Sequence, residues 1–156
     1  MATHDQLIHL HDDRFSVVIS TQGNVPAIVY WGNALGASPL QPHMFTRAVL
    51  GGGIDLDPPL GIVPQHHDGW LGTAGIEGCF PDGSGSFPHF VIASSAHTSN
   101  SVRFTLRDED LDLELELNLE IHASGVLVID GALTNCGSMS YLLHGLRFAL
   151  PVPSRA

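Results

Sequence analysis

Leucine and polar residues alternate without a break along DLDLELELNLEI, Asp110 to Ile121. Leu111, Leu113, Leu115, Leu117, Leu119 and Ile121 fall on one parity, and Asp112, Glu114, Glu116, Asn118 and Glu120 on the other. A period of two gives a strand one buried and one wet face, whereas a helix would spread these leucines around its circumference. The pattern predicts a long strand over 110–121. SVRFTLRD, just before it, alternates in the same way, with Val102, Phe104 and Leu106 against Arg103, Thr105 and Arg107. The two segments predict a hairpin turning at Asp108–Asp110, with the arginines on the face that meets the acids.

GVLVIDGALTN and SYLLHGLRFALP follow, separated by the turn signal CGSM, and predict two further antiparallel strands in a meander. Near the start, LIHLH, RFSVVIS and AIVYWG predict three short strands joined by DD and TQGNVP. No segment carries a helical period with a cap and a stop. The expected architecture is all-β, with two packed antiparallel sheets. Between Gly32 and about Phe87 the alternation dissolves into Gly, Pro, His and Asp. A connection this long in a compact domain is a place to look for recognition.

Length and charge narrow the possibilities. A chain of 156 residues, 44% hydrophobic, is long enough for one domain with a core and short for two. Sixteen acids against six arginines and no lysine give a formal charge of −10, which repels a phosphate backbone and argues against nucleic acid. The missing lysine also removes Walker-type phosphate binding, Schiff-base chemistry and a lysine general base. No apolar run approaches the roughly eighteen residues a membrane helix needs, and MATHDQLIHLHDD lacks a signal-peptide layout, so a soluble, cytoplasmic protein is expected. Cys79 and Cys136 alone, far apart, suit a reducing compartment better than a disulfide framework.

The chemistry-bearing stretch is PQHHDGWLG, Pro64–Gly72, with His66, His67, Asp68 and Trp70 between a proline and glycines. Adjacent residues of an extended chain point to opposite sides, so His66, His67 and Asp68 do not readily share one metal ion. His9 and His11 share a strand face but lack a glutamate at cupin-like spacing. No metal is therefore expected. No G-x-S-x-G elbow exists, since Asp82 and Ser84 stand where the glycine preceding each serine of DGSGSF should be. Asp55, Asp57, Asp68, Glu77 and Asp82 are loop carboxylates from which a glycosidase pair, about 5–5.5 Å apart, would have to come; such residues near Pro and Gly are more often turn-formers. The seven acids from Asp108 to Glu120 read as a solvated strand face. Trp31 reads as core, whereas Trp70, on a Gly-flanked loop beside Asp68, is the kind of flat ring sugars stack against.

Taken in order, IVYWGNALG, the loop bearing PQHHDGW, and TLRDEDLDLELELNLEIHASGVLVIDGALTNCGSMSYLLHGLRFALPVP resemble the amino-terminal domain of bacterial α-galactosidases of glycoside hydrolase family 36. The resemblance covers essentially all 156 residues. It implies an antiparallel β-supersandwich of the galactose-mutarotase-like kind over 1–156, as the amino-terminal piece of a longer multidomain enzyme. It implies a (β/α)₈ barrel in the same polypeptide that carries both catalytic aspartates, so this chain holds no catalytic residue and needs no cofactor. The parent would be a homo-oligomer acting on a galactoside.

The resemblance also implies that a loop of this domain reaches the mouth of a barrel. By position Trp70 and Asp68, with His66 and His67 beside them, are the substrate-contacting candidates. The sequence departs from the commoner pattern, in which a glutamate follows PQ and a later GDFR supplies an arginine; here stand His66 and GSGSF. Two rival readings are a stand-alone carbohydrate-binding module and a mutarotase-like epimerase. The second would pair His66 or His67 with Asp68 or Glu77 for acid/base work.

Overall fold

A computed structural model of the chain describes residues 7–36, 40–45 and 60–152. It is antiparallel and all-β, as expected. Strands β1 (Leu7–His11), β2 (Phe15–Ser20) and β3 (Ala27–Asn33) form one sheet in that order. After two 3₁₀ turns, Pro42–Phe45 and His66–Asp68, comes the short β4 (Ile76–Cys79). Strands β5 (Val91–His97), β6 (Ser101–Asp108), β7 (Leu113–Ile121) and β8 (Leu127–Asn135) form a second sheet in sequence order. The last strand, β9 (Leu142–Leu146), pairs with β4.

The core lies between the sheets. Ile8, Leu10, Val17 and Ile19 of the first sheet pack in one cluster with Phe104, Leu106, Leu115 and Leu117 of the second. The register follows the alternation: Val102 sits opposite Leu119, Phe104 opposite Leu117, and Leu106 opposite Leu115. A slip of one residue would turn every one of these to water, so the leucines set the pairing. On the outer face Arg107 lies opposite Glu114 and donates through Nε and Nη2 to Oε2 at 2.9 and 2.7 Å. Exposed pairs of this kind contribute about 0–1 kcal/mol, so this one favours register more than stability.

Three expectations are corrected. Strand β7 starts at Leu113 and not at Asp110, because the buried Asp108 carboxylate accepts the Asp110 and Leu111 amides at 3.0 Å and curls them into the turn. Asp112, at φ 51°, completes that turn. The segment after CGSM does not extend the meander: β9 leaves β8 and joins β4, which holds Ile76 opposite Leu146. Strands β4 and β5 lie in stretches whose sequence predicts no strand. β5 is mostly exposed and bulged between Ile92 and Ser94, which erases its alternation, while β4 has four residues and a glycine. Asp55 and Asp57 lie outside the described residues.

On β1, His9 and His11 share a face with ring centroids 4.8 Å apart. His9 Nε2 meets the buried Ser16 hydroxyl at 2.9 Å, and that oxygen also accepts the Leu35 amide. Partial burial, and then the charge of His11, hold His9 below its ordinary 6.5. The unfolded chain therefore binds this proton more readily than the folded one, and stability rises with pH across that interval. We expect stability to fall as pH drops through 6.5 toward the lower folded-state value, and then to level off for this group. His9→Gln should flatten that part of a pH series of urea midpoints; an unaltered series would show that another group titrates.

Candidate functional site

The 64–73 loop is built on Gln65, a buried polar side chain 4% exposed. Its Oε1 accepts the Phe90 amide at 2.7 Å and its Nε2 donates to the Phe90 carbonyl at 3.0 Å. One side-chain amide thus satisfies both backbone groups of Phe90, as a neighbouring strand would. Nε2 also donates to Asp68 Oδ2 at 2.9 Å, while Asn24 Nδ2 donates to Asp68 Oδ1 at 2.7 Å. Asp68 is therefore first a latch between two loops. A carboxylate has about four acceptor positions, so it keeps capacity for a further donor such as a sugar hydroxyl.

His66, His67 and Asp68 do not lie on an extended chain but form a single 3₁₀ turn, which Gly69 ends at φ 86°. The two imidazoles take different hydrogen-bond partners. His66 Nδ1 is 2.8 Å from the Trp70 carbonyl, and His67 Nε2 is 3.1 Å from the Phe87 carbonyl. Since a carbonyl only accepts, each ring donates there and keeps its other nitrogen as an acceptor. The His67 ring stacks on His89 at 4.6 Å and 13°. The histidines clasp this loop to the 81–90 segment.

Trp70 folds back on its own loop, its Nε1 donating to the Thr73 carbonyl at 2.9 Å. Its ring lies over Gly72, where a Cβ would come within 2.6 Å of it. Only hydrogen fits at 72 with the ring in this place. Phe87, 65% exposed, stands edge-on to His66 at 5.6 Å, and Leu71 is 96% exposed. Leu71 and Phe87 are thus exposed apolar side chains, one next to Trp70 in the chain and the other against His66. Sequence reasoning missed Phe87 and Gln65; the loose GSGSFP context of the one and the polar type of the other pointed to surface loops.

The remaining candidates are spoken for. Glu77 accepts from Arg147 Nη1 at 2.7 Å, so neither His66 nor His67 finds a carboxylate partner there. Asp82 caps its own turn: a hydrogen bond from the Ser84 hydroxyl at 2.6 Å, then one from the Ser84 amide, hold its carboxyl below the usual range. Trp31 packs against the core, as expected. Among the described residues no three His, Cys, Asp or Glu side chains gather in a way that could hold a metal ion. Nor is any helix among them long and apolar enough to cross a membrane.

The site offers exposed apolar side chains, Leu71 and Phe87, near a few hydrogen-bonded polar groups. Residues 24–156 match the family model of the glycosyl hydrolase family 36 N-terminal domain. An alpha-galactosidase of Escherichia coli is 31% identical over 148 residues, 94% of this chain and 21% of that protein. A crystal structure of a family 36 alpha-galactosidase from Geobacillus stearothermophilus in complex with raffinose aligns at a TM-score of 0.68 and 16% identity. That alignment covers 91% of this chain and 24% of the other, and at such identity it bears on the fold alone. The chain spans about a fifth of the length of the first relative and about a quarter of the second.

Proposed function

Since the chain belongs to the family of glycosyl hydrolase family 36 N-terminal domains, we propose that it is the non-catalytic amino-terminal domain of a homo-oligomeric α-galactosidase. In this reading it braces a catalytic (β/α)₈ barrel of the same polypeptide and narrows the substrate entrance with the 32–87 loop. The observation that carries it is the clasped loop. Gln65, His66 and His67 fix the segment that carries Trp70 and the exposed Leu71 and hold it against Phe87. Rigid placement lets such a surface select a terminal galactose and hold larger glycans outside, because the ordering cost has been met in folding. The barrel would supply the chemistry, and this domain the shape of its mouth.

Bracing has its own support. Leu142 and Leu143 on β9, and Leu150 and Val152 after it, are exposed apolar side chains near one another in sequence. A run of this kind suits a covered surface better than an open one. Two free thiols, Cys79 and Cys136, suit a cytoplasmic enzyme.

Trp70→Ala in the longer polypeptide tests the entrance role. We expect kcat/KM for an α-galactoside to fall by about tenfold or more, with Tm nearly unchanged because the ring packs on its own loop. Unaltered kcat/KM in a folded variant would remove Trp70 from the site.

A further inference from the structure

The face of the β5–β8 sheet opposite the core carries a row of side chains at one register. Ala96 on β5 lies opposite Arg103 on β6, Arg103 opposite Asn118 on β7, and Asn118 opposite Asp130 on β8. The last three are joined across the strands. Arg103 Nε donates to Asn118 Oδ1 at 2.8 Å, and Asn118 Nδ2 donates to Asp130 Oδ1 at 3.0 Å. The same Nδ2 reaches Glu116 Oε1 at 3.2 Å, with Arg103 Nε 3.6 Å from that carboxylate. Around this ladder stand Ala96, Ser101 and Val128, small enough to leave an open trough of about 490 Å³ bounded by Glu120 and His97. That volume falls within the roughly 300–1,000 Å³ of small-ligand sites.

We propose that this trough is a second binding site, for a neutral, hydroxyl-rich oligosaccharide. The chemistry selects the ligand by exclusion. An anion would meet the carboxylates of Glu116, Glu120 and Asp130 against one guanidinium. A metal cation finds no converging set of three ligands among the described residues. A hydroxyl both donates and accepts, which matches a guanidinium set between carboxylates. Because Asn118 ties Arg103 and Asp130 together, these three side chains are held in register before a ligand arrives, which lowers the rotamer freedom to be lost on binding. Ala96 and the exposed Val128 offer apolar contact for the C–H face of a sugar ring. The site stands independently of the 64–73 loop: no residue is shared.

The test is a raffinose titration of the ¹⁵N-labelled 156-residue chain, followed by amide shifts, after thermal unfolding confirms a folded sample. Where the chain alone does not hold its fold, methyl signals of Ala96 and Val128 in the longer polypeptide supply the readout, with maltotriose as the titrant because it carries no galactose for the barrel to release. We expect Arg103, Asn118, Glu120 and Val128 to shift together with a Kd of the order of 1–10 mM, as befits an open site. Asp130→Ala should weaken this about fivefold or more, and Trp70→Ala should leave it intact. No movement of these signals at about 100 mM raffinose overturns the proposal. Shifts confined to 64–73 and lost in Trp70→Ala also overturn it, while leaving the entrance reading in place.

Discussion

Replacing Gln65 with leucine is expected to destabilise the folded chain by about 3 kcal/mol, although the two side chains are similar in size and the site is already buried. The loss comes from what the amide leaves behind. The Phe90 N–H and C=O, both buried, would lose their partner, at roughly 1–3 kcal/mol for each unsatisfied group. Asp68 would lose one of its two donors as well. Leucine fills the volume, so no large cavity is made and the effect isolates hydrogen bonding. Urea unfolding should show a lower midpoint with an unchanged m-value. A loss under about 1 kcal/mol would mean that water or a rearranged loop takes over the Phe90 bonds.

Asp108→Ala should have a similar effect, about 3 kcal/mol, for a related reason. This carboxylate, 4% exposed, accepts the His89 amide at 2.6 Å on Oδ2 and the Asp110 and Leu111 amides on Oδ1. Three amides depend on it, and hydrogen bonds to a charged acceptor contribute roughly 1.5–3 kcal/mol each before relaxation. Asp108→Asn keeps one acceptor oxygen and should recover part of the loss. Gln65 and Asp108 hold consecutive residues, Phe90 and His89, so the double variant should lose less than the sum of the two. Strict additivity in the same unfolding series would show that the two anchors act on separate segments.

How much of this was legible depends on whether a contact has a period. Strands β6 and β7 were readable because Val102–Leu106 and Leu113–Ile121 repeat every second residue, and burial on one face imposes that repeat. Their ion pairs were legible with them, since Arg107 and Glu114 must share the outer face once the leucines are in register. β5 was not legible: as a bulged, mostly exposed strand it places no demand on alternation. The destination of β9 was hidden because LLHGL suits either neighbour, and only the Ile76–Leu146 pairing decides between them.

The candidate site shows the same divide. That Pro64–Gly72 gathers Trp, His and Asp on a Gly-bounded loop is plain in the sequence. How it is held did not. Gln65 reaches Phe90 twenty-five positions away, and His66 and His67 bind the backbone carbonyls of Trp70 and Phe87. Every residue type offers a carbonyl, so nothing in the letters at 70 or 87 marks the partner. Asp68 likewise offers the sequence reader only its carboxylate, while its bonds to Gln65 and Asn24 arise only when two loops meet.

The hydrogen-only space at Gly72 separates two properties that usually travel together. Its position is exposed, where a side chain ordinarily has open space; here a methyl group would meet the indole overhead unless the ring moves. Gly72 therefore works as a shim under the tryptophan. An alanine there would lift the ring by the thickness of one carbon while leaving the indole in the chain, so ring position and ring presence become separable variables.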